Sequence, residues 1–121
     1  MDSKCKVLYI DDEKINLLVF MKVMEAKFDV LVALSGAEGL EILEKEPDVT
    51  HVISDMKMPE MSGLEFVHEA SKTFPDKRFY LLSGFAIDDE IQEALDSKLI
   101  ISYFTKPADY NKIEKVLVEN N

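Results

Sequence analysis

Five short apolar runs recur along the chain, each followed by a stretch with helical periodicity. That alternation limits the fold more than any other feature. The runs are Val7–Ile10, Val30–Leu34, His51–Ile53, Phe79–Leu82 and Leu99–Phe104. Each has strand length, and most are apolar without strict alternation, as in strands covered on both faces. Between them, Ala37, Leu40 and Leu43 form one helical stripe and Leu64, Val67, Ala70 and Phe74 another. Ile87, Ile91, Ala94 and Leu95 form a third, and Tyr110, Ile113, Val116 and Leu117 a fourth. Segment 14–26 is apolar over a wide face, which predicts a central packed helix.

Start and stop signals agree with these assignments. In "SGAE" (35–38) and "SGLE" (62–65) a Ser precedes a Glu by three residues, the spacing of a capping box. Asp109 is placed to cap the last helix, and Pro47 and Pro75 fall where the second and third helices should stop. A strand–helix order repeated five times predicts an α/β fold: a five-stranded parallel sheet with helices on both faces and right-handed crossovers. Five units fit the flavodoxin-like (βα)5 strand order 2-1-3-4-5.

The 121 residues carry no visible linker, repeat or low-complexity segment, so one domain over 1–121 is expected. Hydrophobic residues make up 47% of the chain, enough for a core. No apolar run approaches the ~18 residues of a membrane span. The opening "MDSKCKVLYI" lacks a signal-peptide shape, and a cytoplasmic location without membrane contact is the expectation. Cys5 is the only cysteine, which excludes an internal disulfide and a cysteine metal site; a half-buried apolar role is expected. Fourteen Lys and Arg are scattered among 24 acids, for a formal charge of −10, so direct nucleic-acid binding is not expected.

In an open parallel sheet, sites form at the carboxyl ends of the strands. Here those ends carry Asp11-Asp12-Glu13, Asp55, Ser83-Gly84 and Thr105-Lys106-Pro107, while the second strand ends in uncharged Ser35-Gly36. Taken singly, each has an ordinary reading: Asp11 or Asp12 as a helix cap, Ser83-Gly84 as a turn, Lys106 as a solvated loop residue. Together, the order 2-1-3-4-5 brings three acids, a hydroxyl and a Lys to one cleft. Two carboxylates ~4 Å apart repel by roughly 4 kcal/mol at an effective dielectric of 20, so such a cleft calls for a cation. Mg²⁺ favours carboxylates, waters and phosphate oxygens. A carboxylate–Mg²⁺–Lys site with an adjacent hydroxyl is suited to holding a phosphoryl group, with Asp55 as the nucleophile.

With "YIDDE" (9–13), "ISDMKMPEMSGLE" (53–65), "LLSG" (81–84) and "YFTKP" (103–107) in order on the predicted strand ends, the chain resembles the receiver domains of bacterial two-component response regulators. The resemblance runs from Lys6 to about Val118. It implies that Asp55 accepts a phosphoryl group from the phosphohistidine of a sensor kinase or phosphotransfer protein. It implies Mg²⁺ held by Asp12 directly, by Asp11 partly through water, by Asp55 and by the Lys57 backbone carbonyl. Ser83 would bond a phosphoryl oxygen, and Lys106 would pair first with Asp55 and then with the phosphoryl charge. The Lys106–Pro107 bond would be cis. Tyr103 would be the switch aromatic, with simple packing on the last strand as its alternative. The fourth helix, fifth strand and fifth helix would form the output face toward a downstream protein or output domain. The resemblance leaves room for a phosphorylation-dependent homodimer, and it makes the chain a switch rather than an enzyme.

The chain departs from the family pattern at Glu60, where many members have Gly, and after Ser83, where Gly84 and Phe85 follow and Ala is common first; Phe85 and Lys57 sit at positions that tune dephosphorylation in the family. "DSKLIISY" (96–103) lacks the usual Gly-Ala pair before the last strand and runs one residue longer. Two other functions use related features. An aspartyl-phosphate phosphatase of the haloacid-dehalogenase kind needs an acid two residues after its nucleophile, and Lys57 stands there. A binding module of the same fold would need no phosphorylation, and the complete set of acids, Ser and Lys argues against it. His51 and His68 have no metal-ligand spacing and are expected at the surface, away from the cleft; the six Met residues are read as core filler.

Overall fold

The computed structural model describes residues 4–121; the first three positions of the expected 1–121 domain lie outside the described residues. The chain alternates β1 (Cys5–Ile10), α1 (Lys14–Met24), β2 (Phe28–Ala33), α2 (Gly36–Lys45), β3 (Val49–Asp55), α3 (Gly63–Thr73), β4 (Arg78–Ser83), α4 (Asp89–Asp96), β5 (Ser102–Thr105) and α5 (Tyr110–Glu119). The strands form one parallel sheet in the order β2-β1-β3-β4-β5, as expected. Among the described residues no helix is long and apolar enough to cross a membrane.

The strands are apolar at successive positions because both sheet faces are covered. Leu8, Ile10, Val52 and Leu81 pack beneath α2, α3 and α4 with Leu43, Phe66, Val67 and Ile91. Val7, Tyr9, Ile53, Tyr80 and Phe104 face the other layer, where α1 and α5 contribute Leu17, Phe20, Ile113 and Leu117. Side chains alternate across a strand, so each neighbour feeds a different core. Cys5 is half-buried against the second of these.

Capping fixes where the helices begin. Ser62 and Glu65 form the complete capping box at α3: the Ser62 hydroxyl accepts from the Glu65 N–H, and the Glu65 carboxylate accepts from the Ser62 N–H. At α2 only half of it forms. Ser35 accepts from the Glu38 N–H, but the Glu38 carboxylate takes the Leu34 N–H instead. Asp109 caps α5 through the Lys112 N–H, and Asp88 caps α4 through the Ile91 N–H. Neither Asp11 nor Asp12 caps α1; its N-cap residue is Glu13, whose side chain makes no cap hydrogen bond.

Four expectations are corrected. The wide apolar face of α1 is not packed throughout: Ile15, Leu18, Val19 and Val23 are exposed, because only Leu17, Phe20 and Met24 reach the sheet. Ile87 is exposed and precedes α4, since the helix starts only at the Asp88 cap. The run Leu99–Phe104 is strand only over Ser102–Thr105, because the Leu99 and Ile100 N–H groups both go to the Ala94 carbonyl and close the end of α4. His51 is not at the surface. It is 0% exposed in β3, with Nδ1 3.0 Å from the Tyr80 hydroxyl and, among the described residues, no hydrogen-bond partner for Nε2. The two aromatic rings pack together with centroids 5.8 Å apart, and Tyr80 belongs to the core beneath α1 and α5. His68, on α3, is exposed as expected.

Candidate functional site

Strands β1, β3, β4 and β5 deliver Asp11, Asp55, Ser83 and Lys106 to one end of the sheet. Asp55 is the last residue of β3, and Asp11 follows β1 directly. Asp11 is 0%, Asp55 5% and Ser83 1% exposed, so polar groups here sit at a cleft floor rather than in solvent. Asp12 points to the open side and is exposed. One carboxylate oxygen from each of Asp11, Asp12 and Asp55 lies within 4.8 Å of the others.

Lys106 is the nearest cation. Its Nζ is 3.3 Å from Asp55 Oδ1 and 4.0 Å from Asp11 Oδ2. The Lys106 N–H donates to the Ser83 carbonyl, which ties the start of the β5–α5 loop to the end of β4. The Lys106–Pro107 peptide is cis. Burial, followed by the charge of Asp11, pushes the Asp55 carboxyl above its ordinary range, and Lys106 opposes the shift only in part.

Asp11 is held by donors from several directions. Its Oδ2 accepts from the Tyr9 hydroxyl at 2.8 Å and from Asn16 Nδ2 at 3.1 Å, and its Oδ1 accepts from the Glu13 N–H at 3.0 Å. Burial, with the Asp11 charge added, keeps the Tyr9 hydroxyl protonated. Ser83 Oγ accepts from the Phe85 N–H at 3.1 Å, which leaves its own proton free to donate. The Tyr103 hydroxyl donates to the Phe85 carbonyl. Lys57, in the loop after β3, places its Nζ 4.9 Å from the centre of the Phe85 ring, a cation–π contact along one wall. That wall opens on a cavity of about 260 Å³ lined by Met56, Lys57, Ser83 and Phe85, among others.

Of the residues singled out in the sequence, Asp11, Asp12, Asp55 and Lys106 meet at the acids, Ser83 ends the neighbouring strand, and the Lys57 and Tyr103 side chains reach Phe85 beside them. Three contributors were not found by sequence reasoning. Tyr9 and Asn16 read as an ordinary strand residue and helix residue, and nothing in their spacing showed that both reach Asp11. Gly63 read only as the start of α3. A Cβ there would collide with the Asp55 carbonyl oxygen and crowd the Met56 backbone, and the Gly63 N–H donates to the Met56 carbonyl at 2.8 Å. The absence of a side chain lets α3 close onto the backbone of Asp55 itself; a Gly directly after a capping Ser was the available signal.

The donor set is hard oxygen only, and the three clustered carboxylates fit a small divalent cation such as Mg²⁺ better than a soft metal.

Comparison with known proteins gives one consistent result. The family model described as response regulator receiver domain matches residues 7–118. The sensor kinase CckA of Brucella abortus is 30% identical over 98% of this chain, which spans 13% of that protein. The transcriptional regulatory protein GlrR of Escherichia coli is 31% identical over 92% of this chain and 24% of its own length. The chain thus spans less than a third of either relative. Among solved structures, a response regulator receiver domain protein from Clostridium thermocellum is 32% identical, with a TM-score of 0.83 over 90% of this chain and 87% of that one. The chemotaxis protein CheY4 of Vibrio cholerae shares the fold, with a TM-score of 0.85 at 23% identity over 97% of this chain and 98% of that one.

Proposed function

The chain belongs to the response regulator receiver domain family of two-component systems, and from that premise we propose that it is a switch set by phosphorylation of Asp55. The observation that carries the reading is the convergence of Asp11, Asp12 and Asp55 oxygens within 4.8 Å, with the Lys106 ammonium on Asp55. In this reading residues 1–121 act as one receiver unit. The donor is the phosphohistidine of a sensor kinase or phosphotransfer protein. An Asp55 carboxylate oxygen forms the new P–O bond as the P–N bond breaks. The electron pair returns to the imidazole nitrogen, which takes a proton from solvent.

The surrounding groups divide the work. Asp12, Asp55 and the Lys57 carbonyl would hold Mg²⁺, with Asp11 acting partly through water. Bound there, Mg²⁺ supplies the positive charge that lets an anionic phosphoryl group approach three carboxylates. Lys106 offsets charge on Asp55 beforehand and on the phosphoryl oxygens afterwards. Ser83 donates its free proton to a phosphoryl oxygen.

The switch follows from the backbone of Phe85. Its N–H rests on Ser83 and its carbonyl on Tyr103. When Ser83 turns to the phosphoryl group, the Phe85 N–H loses its acceptor, and the β4–α4 loop and Tyr103 settle into a new arrangement. The bias equals the difference in interaction free energy between the two arrangements. The output is read on α4, β5 and α5 by a downstream protein or output domain, and a phosphorylation-dependent homodimer would use the same face. A phosphatase reading has no support at Lys57, which stands where the second acid should be and lies over Phe85.

The test is direct. With MgCl₂ and a small acyl phosphate, the protein is expected to gain one phosphoryl group on Asp55, seen by intact mass and peptide mapping. No gain, or the same gain in Asp55→Asn, overturns the reading.

A further inference from the structure

We propose that Tyr9 is a positioning residue: together with Asn16 it occupies Asp11 Oδ2 and so leaves Lys106 to Asp55. This rests on the reading of Asp55 as phosphoacceptor. The Lys106 ammonium stands between two carboxylates, 3.3 Å from Asp55 Oδ1 and 4.0 Å from Asp11 Oδ2. Asp11 is the more deeply buried of the two, at 0% exposed, and a buried carboxylate short of donors draws the nearest cation.

Asp11 is not short of donors. A carboxylate oxygen offers about two lone pairs. On Oδ2 these meet the Tyr9 hydroxyl at 2.8 Å and Asn16 Nδ2 at 3.1 Å. Tyr9 has little freedom to leave. It is 3% exposed, and its ring stacks on Phe20 with centroids 4.2 Å apart.

Lys106, by contrast, has room to turn. Its side chain is 30% exposed and borders a cavity of about 180 Å³ that is also lined by Tyr9, Asn16 and Tyr110. Without the Tyr9 hydroxyl, Oδ2 would have a free lone pair facing the Lys106 ammonium, and Asp55 would lose its partner to Asp11.

The experiment uses Tyr9→Phe, which keeps the ring on Phe20 and removes only the hydroxyl, alone and combined with Lys106→Ala. Two readouts are taken: crystal structures, for the distances from Lys106 Nζ to the two carboxylates, and the initial rate of Asp55 phosphorylation by an acyl phosphate at saturating Mg²⁺. Lys106 is expected nearer to Asp11 than to Asp55 in Tyr9→Phe. The rate is expected to fall about tenfold, the low end for residues acting through another ligand. In the Lys106→Ala background Tyr9→Phe is expected to cost nothing further. A Lys106 that stays on Asp55 in Tyr9→Phe, or an equal rate loss in both backgrounds, overturns the proposal. If wild-type Asp55 takes no phosphoryl group, the phosphoacceptor reading fails, and the crystal structures still decide the position of Lys106. Asn16→Ala removes the other donor to the same oxygen, and it gives the same readouts should Tyr9→Phe fold poorly.

Discussion

The hydroxyl of Ser83 accepts the backbone N–H of Phe85 at 3.1 Å, while the carbonyl of that same Phe85 accepts from Tyr103. One residue of the β4–α4 loop is thus tied to both the cleft and the last strand. Removing the Tyr103 hydroxyl should free the loop without touching the acids. In Tyr103→Phe, Asp55 phosphorylation is expected to stay within about threefold of wild type. Hydrogen exchange at the amides around Phe85 should rise, and the change in exchange on phosphorylation should shrink. Unchanged protection there would mean that Tyr103 only packs.

The acid cluster should cost stability. Asp55 is 5% exposed, and burial with the Asp11 charge disfavours its ionised form. Asp55→Asn is therefore expected to be more stable than wild type at pH 7 and without metal, by about 0.5–2 kcal/mol, as when a strained site is relieved. Saturating MgCl₂ should raise the Tm of wild type, because a ligand that binds only the folded state stabilises it. The rise should be smaller in Asp12→Ala and in Asp55→Asn. Equal Mg²⁺ shifts in all three proteins would separate any Mg²⁺ effect from this cluster.

His51 sets an acid limit on the fold. Burial, followed by the charge of Arg78, holds its pKa down at about 4 against an ordinary 6.5. Below pH 6.5 the unfolded chain takes up a proton that the folded ring refuses. Stability present above that pH is therefore lost progressively down to about pH 4, by roughly 3 kcal/mol in all. In His51→Gln, which cannot titrate, urea midpoints should fall less steeply between pH 7 and pH 4. Parallel slopes for the two proteins would sink this expectation.

Two loop residues stand where glycine is favoured. Glu60 has φ 68° and Lys98 φ 63°, both left-handed. A side chain in that region costs about 1–2 kcal/mol, and glycine's greater freedom when unfolded returns about 0.5–1 kcal/mol of that. Glu60→Gly and Lys98→Gly should each raise stability by about 0.5–1 kcal/mol in denaturant unfolding. Alanine at either position should bring no such gain, and equal effects of Gly and Ala would remove the backbone explanation.

Much of the site was legible because a parallel sheet exposes its chemistry at strand ends. Asp11, Asp12, Asp55, Ser83 and Lys106 each follow or close an apolar run, so the strand order alone brought them together. The misreadings share a cause. Polarity was taken as exposure for His51, whose hydrogen bond to Tyr80 comes from a strand 29 residues away in sequence. Apolarity was taken as burial for α1, although only one side of that helix meets the sheet.

The sequence by itself determined the (βα)5 order, the caps at Ser35, Ser62 and Asp109, and the family, since these rest on local periodicity, capping chemistry and motifs that each occupy a few adjacent residues; the strand order followed from the fold class that five such units fit. Only the tertiary structure decided which oxygen of Asp11 is occupied, how far Lys106 stands from each of two carboxylates, and that Gly63 must lack a side chain beside Asp55. The position of Lys106 turns on a difference of less than an ångström, 3.3 against 4.0 Å, and all three involve groups contributed by separate strands and helices. Hydrogen bonds and ion pairs depend steeply on such distances, and no pattern along a single chain encodes them.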